Sequence, residues 1–394
     1  MTRLQAGATM MTRPVYILAA GVVCPHGAGM GALTAALRDG RCSVTRKEFE
    51  GIGPLAVGAC DFVESRRGED RGITMLREAF SQLAGPLAAC DFVPPERRAV
   101  AVASSKGGLL LYLENPAEAP RRLMDLLPDA PARWLAREAS AAGPVQAHVG
   151  ACATGLLNIF AAAEWIAEDR ADIAVAGSTE ASLCTLYLQS FLSLGALNRN
   201  GCHPFDRRHA GFVAGEGSAV FLLASEAAAE RSGLAPIARL TGWATAAEAH
   251  HSTAIRPGGE SIVRLARKIC RNADRTLGEI DAINPHGTAT PQGDTAEAAA
   301  ILGLYPDHGA APPVFALKGG MGHLMGASAS VELAGSLAAL DGGFVPATAG
   351  YQDAADGCER LKVRRGSTDR KVGRVMKWSL GFGGHLAGCI IERG

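Results

Sequence analysis

Residues 146–170, QAHVGACATGLLNIFAAAEWIAEDR, decide the fold because an apolar run changes there into an alanine-rich helical pattern around one cysteine. The run at 146–150 predicts a buried strand, and residues 156–167 predict an amphipathic helix. Cys152 stands at the junction, among alanines and a glycine. A helix N-terminus carries partial positive charge and free N–H groups, which lower the pKa of a thiol and can bind an oxyanion. The position therefore predicts a nucleophile, although most buried cysteines are inert core residues.

Outward from this segment, short β-rich runs alternate with alanine-rich helical stretches. The alternation predicts βαβ units around a largely buried sheet. The same rhythm returns after about residue 236, so we predict two similar halves, 13–235 and 236–394, behind a loose leader at 1–12. Further predicted strands are 15–20, 99–103, 173–176, 218–223, 238–243, 282–284 and 314–316, and further predicted helices are 261–273, 294–302 and 328–340.

Composition excludes several classes of function. The 394 residues include 39 basic and 39 acidic side chains, so no overall field favours nucleic acid or an anionic membrane as a partner. The 10 cysteines are scattered without a CxxC pair or zinc-like spacing, which favours free thiols, no metal site and a cytoplasmic location. The N-terminal apolar run is too short to span a bilayer and lacks the order of a signal peptide.

A first histidine lies in INPHGTATPQGDTAEAAAI, residues 283–301. His286 follows a short predicted strand, where loops often build active sites, and the glycine and proline around it restrain the imidazole. Thr288 and Thr290 offer hydroxyl groups to a polar substrate.

A second histidine lies in FALKGGMGHLMGASASVELAGSLAAL, residues 315–340. His323 stands between Lys318 and Glu332, with several glycines packed around it. A lone histidine of this kind is more often structural, and a lone Lys–Glu pair is usually a surface ion pair. Together with Cys152 and His286, whose positions and order are similar to those of a known enzyme family, these residues are better interpreted as parts of a shared site.

These segments resemble the β-ketoacyl-acyl-carrier-protein synthases, the condensing enzymes also called ketosynthases. The cysteine segment is similar to A-C-A/S-T/S-G of that family, and the histidine segments are similar to H-G-T-x-T-P-x-x-D and K-x-x-x-G-H-x-x-G-A-x-x-x-x-E. The C-terminal WSLGFGGHLAGCIIER, residues 378–393, is similar to S-F-G-F-G-G-x-N. The resemblance runs from about residue 15 to the end and implies an α/β, thiolase-like five-layered α/β/α/β/α fold of two similar halves.

The resemblance also implies roles for the reactive side chains. Cys152 would accept the acyl group, and His286 and His323 would bind the malonyl thioester oxygen and assist decarboxylation as N–H donors. Lys318 would belong to a charged network with Glu332 that orients His323 and sets its protonation.

Other residues would contact the substrate. By the same resemblance, Thr288 and Thr290 contact the phosphopantetheine arm of an acyl carrier protein, which carries the substrates, and no bound cofactor is expected. Phe382 would gate the acyl pocket, and its backbone N–H would complete an oxyanion hole with that of the cysteine. His250 and His251 resemble part of an entrance loop. We do not expect them to bind a metal, because no third ligand is in range.

The chain departs from the family pattern at several positions. His203, His209 and Ala210 stand where Arg, Arg and Asp are usual, so we expect the usual ion pairing of that loop to be absent. Leu380 replaces the first phenylalanine of the C-terminal motif, and Lys106 is unusual in its glycine-containing loop. These departures favour a specialised pathway over housekeeping fatty acid synthesis.

The implied reaction is a decarboxylating Claisen condensation of an acyl thioester with malonyl-acyl-carrier protein, which elongates a fatty acid or a specialised polyketide or polyene chain. A thiolase would need a second catalytic cysteine, but Cys389 lies inside a strand-like run, and a chain-initiating synthase carries asparagine in place of His323. The remaining alternative is a non-elongating partner subunit or the chain-length-setting member of a ketosynthase heterodimer, which Cys152 argues against.

The expected partners are an acyl carrier protein and a second ketosynthase-like chain. We expect a homodimer or a heterodimer formed through the edge strand that follows the nucleophile helix. Acyl chain length and starter unit stay open, because the depth of the acyl pocket depends on tertiary contacts.

Overall fold

A computed structural model describes residues 13–114, 116–307 and 309–394, without the side chains of residues 118 and 119. The predicted leader at 1–12 lies outside the described residues. Across the described part of the chain, no helix combines the length and apolar character needed to cross a bilayer.

Strands and helices alternate along most of the chain, as the sequence pattern predicts. The strands are β1 Val15–Cys24, β2 Gly27–Ala28, β3 Thr45–Phe49, β4 Gly53–Gly58, β5 Arg98–Ala103, β6 Val145–Gln146, β7 Ile173–Glu180, β8 Ala214–Gly215, β9 Gly217–Ser225, β10 Ala238–Ala247, β11 Ala282–Asn284, β12 Phe344–Val345, β13 Thr368–Asp369, β14 Arg374–Gly381 and β15 His385–Arg393. The α-helices are α1 Met30–Asp39, α2 Arg71–Ser81, α3 Ala84–Ala88, α4 Leu109–Glu114, α5 Leu123–Leu126, α6 Ala130–Glu138, α7 Thr154–Ala167, α8 Thr185–Ser193, α9 Glu226–Ser232, α10 Glu260–Ala273, α11 Pro291–Leu304, α12 Lys318–Met321 and α13 Ser328–Gly342.

The strands of the two halves form one continuous sheet. Its order is β11-β14-β15-β10-β1-β9-β7-β5-β6, and β2 pairs with β1. The antiparallel contact of β1 with β10 joins the strands of the first half to those of the second. The predicted division at residue 235 falls between α9 and β10, and it stays a prediction.

Helices lie on both faces of each half of this sheet. The two halves of the sheet and the three helical layers give the α/β/α/β/α order that the family resemblance implies. Helices α7 and α13 pack against each other and against strands of both halves, forming the middle layer. Helices α2 and α6 cover the outer face of the first half, and α10 and α11 cover that of the second.

Apolar patterning explains which helices occupy the middle layer. Nearly every side chain of α7 and α13 is alanine, glycine, serine or an apolar residue, and both helices are buried around most of their circumference. Helix α10 carries its apolar residues on one face and exposes Arg264, Arg267 and Arg271, so it lies at the surface. A helix without a polar face is stable only between two layers.

Two predicted strands are wrong in extent. The strand expected at 146–150 stops at Gln146, because Asn158 of α7 bonds to the backbone of His148 at 2.9 Å on both its N–H and its carbonyl. These side-chain bonds take the place of a strand partner. The run at 314–316 forms only isolated bridges, among them Ile283 with Val314.

The expected dimer edge is also wrong. The strand that follows the nucleophile helix is β7, which pairs with β5 on one side and β9 on the other, so it is interior to the sheet. The edge of this half is β6, which precedes the nucleophile. Val145 in β6 and Val149 just after it are exposed, by 39% and 45%.

Candidate active site

Cys152 lies in a tight turn that opens helix α7. Residues Ala151–Ala153 form a short 3-10 turn, and Ala151 adopts a left-handed conformation with φ of 49°. Thr154 Oγ1 donates to the carbonyl of Ala151 at 2.7 Å and accepts from the N–H of Gly150 at 3.0 Å, which holds this strained backbone in place. The turn aims the cysteine into the cavity at the N-terminal end of the helix, as the sequence predicts.

Small residues let the surrounding elements reach this turn. A Cβ at Gly155 would lie 2.6 Å from the backbone nitrogen of Ser330, and a Cβ at Gly381 would lie 2.4 Å from the carbonyl oxygen of Gly150. Both contacts are too short for any other residue. The two glycines therefore bring α13 and the C-terminal turn against the nucleophile.

The structure brings Cys152, His286 and His323 together. The thiol sulfur and one ring nitrogen of each histidine all lie within 4.8 Å of one another, and the two imidazole rings stand at 84° with centroids 5.3 Å apart. Among the described residues, this trio is also the one group of histidine, cysteine or acidic side chains close enough to hold a metal ion.

His286 is held from both sides by ionisable groups. Lys318 Nζ lies 3.3 Å from Nδ1 of His286 and donates to its carbonyl at 2.5 Å. Glu297 accepts the backbone N–H groups of His286 and Gly287 at 2.6 and 2.7 Å. Because an ammonium faces Nδ1, that nitrogen is an acceptor and the ring proton lies on Nε2.

His323 is held by neutral groups. Its Nδ1 accepts the backbone N–H of Met325 at 3.0 Å and lies 2.7 Å from Oγ of Ser328. This ring proton also lies on Nε2, since Nδ1 accepts. The ring of Phe212 packs edge-on against it, with centroids 5.1 Å apart.

The predicted partner of Lys318 is therefore corrected. Lys318 does bind Glu332, but it contacts His286 and not His323, which its own backbone neighbourhood orients. Its positive charge still contributes to lowering the pKa of His323, after burial.

This cluster contains a second lysine that the sequence motifs do not predict. Lys377 on β14 is fully buried and donates to the free oxygen of Glu332 at 2.6 Å. Two ammonium groups thus share one buried carboxylate. No local signal marks Lys377, because it stands in an ordinary strand pattern, VMKWSL, 45 residues from Glu332 in sequence.

Burial dominates the electrostatics of the three reactive groups. Burial raises the pKa of the Cys152 thiol to about 11, while the positive charges of Lys106 and Lys318 act to lower it. The lowered pKa expected from the helix terminus is thus outweighed by desolvation of the thiolate. Burial, reinforced by Lys318, holds the pKa of both histidines well below the ordinary imidazole range, so both rings are neutral at pH 7.

The reactive trio opens into a cavity of about 410 Å³. Thr288 and Thr290 line it, with their hydroxyl oxygens 3.0 Å apart. Phe382 and Leu380 line it from the C-terminal turn, and His251 lines it from the predicted entrance loop. The predicted substrate-contacting residues therefore surround the same space as the reactive groups.

The altered loop contains an ion pair at other positions. Asp206 pairs with Arg208 at 2.7 Å, and Nδ1 of His209 lies 3.2 Å from Asp294. With no arginine at 203 or 209 and no aspartate at 210, the usual ion pairs of this loop cannot form. Ala210 lines the cavity, whereas Nδ1 of His203 is buried without a hydrogen-bond partner among the described residues.

A second polar group lies behind the nucleophile turn. Glu180 at the end of β7 is fully buried and accepts Oγ of Ser104 at 2.9 Å and the N–H of Gly326 at 3.1 Å. Lys106 lies 4.0 Å from Glu180, and its ammonium sits 4.0 Å from the ring centroid of Tyr187. The unusual lysine of the glycine-containing loop is therefore held by a carboxylate and an aromatic face.

Known proteins are similar to this chain in sequence and in architecture. Residues 95–229 match the family described as beta-ketoacyl synthase, N-terminal domain, and residues 237–352 match its C-terminal domain. The chain is 30% identical to the tetracenomycin polyketide synthase ketoacyl synthase alpha subunit of Streptomyces glaucescens, over 96% of this chain and 97% of that protein. It is 32% identical to the 3-oxoacyl-[acyl-carrier-protein] synthase 2 of Coxiella burnetii, over 64% and 62%.

Solved structures of ketosynthases have the same overall fold as this chain. The ishigamide ketosynthase/chain length factor superimposes with a TM-score of 0.86 at 26% identity, over 97% of this chain and 100% of that one. A ketosynthase bound to a hexaketide, in complex with its type II acyl-carrier protein, superimposes with a TM-score of 0.90 at 24% identity, over 98% and 100%. With this thiolase-like fold and the matches to both of its domains, the chain belongs to the β-ketoacyl synthase family of condensing acyltransferases.

Proposed function

We propose that this chain elongates a polyketide-type acyl chain by decarboxylating Claisen condensation, with Cys152 as the nucleophile and His286 and His323 as its partners. One observation carries the proposal: a thiol and two imidazoles lie within 4.8 Å of one another. Both Nδ1 atoms are occupied by donors, so each ring presents Nε2–H to the cavity. Two N–H donors stabilise an enolate oxygen without offering an acidic proton to the carbanion.

The first step transfers the acyl group to the enzyme. The Cys152 sulfur attacks the acyl thioester on the carrier protein, the carrier's C–S bond breaks, and the thiol proton leaves with the carrier thiol. The oxyanion formed on the way would bind the backbone N–H groups of Cys152 and Phe382. The close approach of Gly381 to the carbonyl of Gly150 brings the C-terminal turn beside the nucleophile turn, which supports this assignment.

The second step forms the carbon–carbon bond. The malonyl thioester loses CO₂, and the electron pair passes into an enolate whose oxygen accepts from His286 and His323. The enolate carbon attacks the acyl-cysteine carbonyl, the C–S bond breaks, and the released thiolate takes up one proton. Thr288 and Thr290 line the route by which the phosphopantetheine arm would reach these groups.

Several observations support a specialised polyketide role over fatty acid synthesis. The near-full-length relative from Streptomyces glaucescens is named as a polyketide synthase subunit, and the 3-oxoacyl-[acyl-carrier-protein] synthase 2 of Coxiella burnetii aligns over a shorter range. Leu380 in the cavity wall and Lys106 beside the nucleophile turn also depart from the family pattern.

We infer that the chain works with an acyl carrier protein and a second ketosynthase-like subunit. The exposed edge strand β6, with Val145 and Val149 uncovered, offers unpaired backbone and an apolar surface for such a subunit. The solved structures named above include a ketosynthase with a chain length factor and one with its acyl-carrier protein. Co-purification with a candidate partner chain, compared for the natural protein and Val145→Lys, tests the role of this exposed edge.

Intact-mass analysis tests the reaction itself. The purified chain, incubated with acyl- and malonyl-carrier protein, should acquire the acyl mass on Cys152 and then release a β-ketoacyl-carrier protein two carbons longer. Cys152→Ala should abolish both. Unaltered product formation by that variant would contradict the mechanism. Failure of the natural protein to take up an acyl group would instead favour the non-elongating, chain-length-setting role.

A further inference from the structure

Lys377 is a buried lysine that takes no part in the reaction steps above. It lies on β14 with no exposed surface, and its ammonium donates to Glu332 at 2.6 Å and to the carbonyl of Trp378 at 2.5 Å. A third acceptor, the carbonyl of Pro285, lies 3.4 Å away. All three directions of an ammonium donor are thus used.

Sharing one carboxylate between two lysines is costly. Glu332 binds Lys318 through one oxygen and Lys377 through the other, so with both lysines protonated the cluster carries a net positive charge in the core. A buried ion pair adds little stability compared with apolar residues of similar volume, and an additional unpaired charge removes stability. Burial accordingly lowers the pKa of Lys377, in spite of the opposing influence of Glu332. Stability does not explain why this lysine is present.

Its contacts converge on His286. Pro285, whose carbonyl faces Lys377, immediately precedes that histidine. Lys318, the other lysine on Glu332, binds the carbonyl and Nδ1 of the same residue. One oxygen of Glu332 is occupied by Lys377, so Lys318 is confined to the other oxygen, on the side of the imidazole.

We propose that Lys377 is a positioning residue that acts on His286 through Glu332 and Lys318. It fixes the carboxylate in the orientation that keeps the second ammonium against Nδ1, and thereby keeps Nε2–H directed into the cavity. This inference rests on the function proposed above, in which that N–H binds the malonyl thioester oxygen.

The charge of Lys377 has a second effect on the same ring. Positive potential disfavours the imidazolium form, and Lys377 is among the charges that lower the pKa of His286, after burial, Lys318 and His323. The ionisable groups coupled to Lys377 are Glu332, Lys318, Cys389, Glu297, His286 and His323. They come from α13, α12, β15, α11, the loop after β11 and the loop after α12. Cys389 is neutral at assay pH, because burial raises its pKa to about 12.

Lys377→Met tests the proposal, because methionine has nearly the same length and no charge. The assay follows CO₂ release from malonyl-acyl-carrier protein between pH 4.5 and 9, with acylation of Cys152 measured separately by intact mass. We expect CO₂ release to fall about tenfold, because the donor is no longer held in place. Loss of a nearby positive charge raises the pKa of both His286 and His323, so the acid limb of the pH profile should move to higher pH.

Two matched variants separate positioning from packing. Lys377→Gln keeps a donor for Glu332 but removes the charge, so it should recover part of the rate while the acid limb stays displaced. Cys389→Ala removes packing beside Lys377 on the paired strand without changing charge, and its acid limb should coincide with that of the natural enzyme. Equal rate losses in all three variants with an unmoved acid limb would overturn the proposal.

The natural protein provides a measurement that does not depend on the folding of any variant. In ¹⁵N-histidine spectra, with His286 assigned from His286→Asn, the ring should remain neutral and protonated on Nε2 at pH 6. An imidazolium signal at that pH would overturn the proposal. Absence of both CO₂ release and condensation in the natural enzyme at every pH would instead contradict the proposed function, whereas an active enzyme unaffected by Lys377→Met would contradict only this inference.

Discussion

The two histidines of the site reach the same protonation state by different means. Nδ1 of His286 faces the ammonium of Lys318 inside a buried cluster of charges. Nδ1 of His323 accepts a backbone N–H and lies beside a serine hydroxyl. Each arrangement leaves Nε2–H as the donor for the cavity.

The difference shows where the site is sensitive to charge. A neutral support depends only on local backbone geometry, because Met325 and Ser328 lie two and five residues from His323. A charged support depends on groups brought from three separate elements, α12, α13 and β14. We therefore expect substitutions on the charged side to cost more stability and to change pH dependence.

The largest expected effect comes from removing the shared carboxylate. Glu332→Gln leaves two buried ammonium groups without a counter-ion, which should lower the free energy of unfolding by about 3–5 kcal/mol. Denaturant unfolding at pH 7 measures this loss. A decrease below about 1 kcal/mol would show that the two lysines do not depend on Glu332 for compensation.

The next effect is a pH dependence to which both histidines contribute. Burial lowers the pKa values of both histidines. Below about pH 6.5, the two imidazoles therefore bind protons in the unfolded chain but not in the folded chain. Stability should be fully present above that pH and decline by about 1.4 kcal/mol per pH unit for each histidine as the pH falls. His323→Asn should remove one such contribution between pH 6.5 and 5.5. An identical slope in the variant would contradict the lowered pKa.

A smaller effect is expected on the neutral side. Ser328→Ala removes one contact from Nδ1 of His323 but leaves the N–H of Met325, so the tautomer should persist. We expect a loss of about 1 kcal/mol in unfolding free energy. The pH profile of CO₂ release should coincide with that of the natural enzyme, and a displaced profile would show that the hydroxyl group controls protonation.

The smallest effect concerns the nucleophile. Lys106 lowers the pKa of Cys152 against the larger effect of burial, so Lys106→Met should raise it by roughly half a unit to one unit. Alkylation of Cys152 by iodoacetamide, followed by peptide mass analysis from pH 8 to 10, should be roughly three- to tenfold slower at each pH, because less thiolate is present. Lys106→Arg, which keeps the charge, is the control. Equal rates for the methionine variant and the natural protein would show that Lys106 does not stabilise the thiolate.

The sequence predicted the order of elements well, in α10 from strong apolar periodicity and in α7 from an alanine-rich apolar run. The prediction that α7 is amphipathic is wrong, because both sides of this helix are covered by other layers. Helix α7 was expected at 156–167 and spans Thr154–Ala167, and helix α10 was expected at 261–273 and spans Glu260–Ala273. The predicted length of the strand before the nucleophile is too long, because the side chain of Asn158 in α7 bonds to the backbone of His148. Such a bond between a helix and a preceding loop leaves no periodic trace in the sequence.

Site residues were predictable to the extent that motifs contain them. Cys152, His286 and His323 stand in recognisable segments, and the structure places them together. The partner of Lys318 was mistaken, and Lys377 was missed. Motif spacing does not specify which of two histidines a lysine will face after the chain has folded.

The sequence by itself determined the nucleophile turn, the two histidine loops and the alternating elements, because these depend on residues close together in the chain. The tertiary structure alone decided that β6 is the sheet edge, that Lys318 faces His286, and that Lys377 shares Glu332. Those outcomes depend on distant strands and helices packing together, and burial then makes the charges they enclose depend on one another. A charge pattern in sequence cannot reveal that dependence, because the strength of electrostatic coupling is set by distance and desolvation in the folded protein.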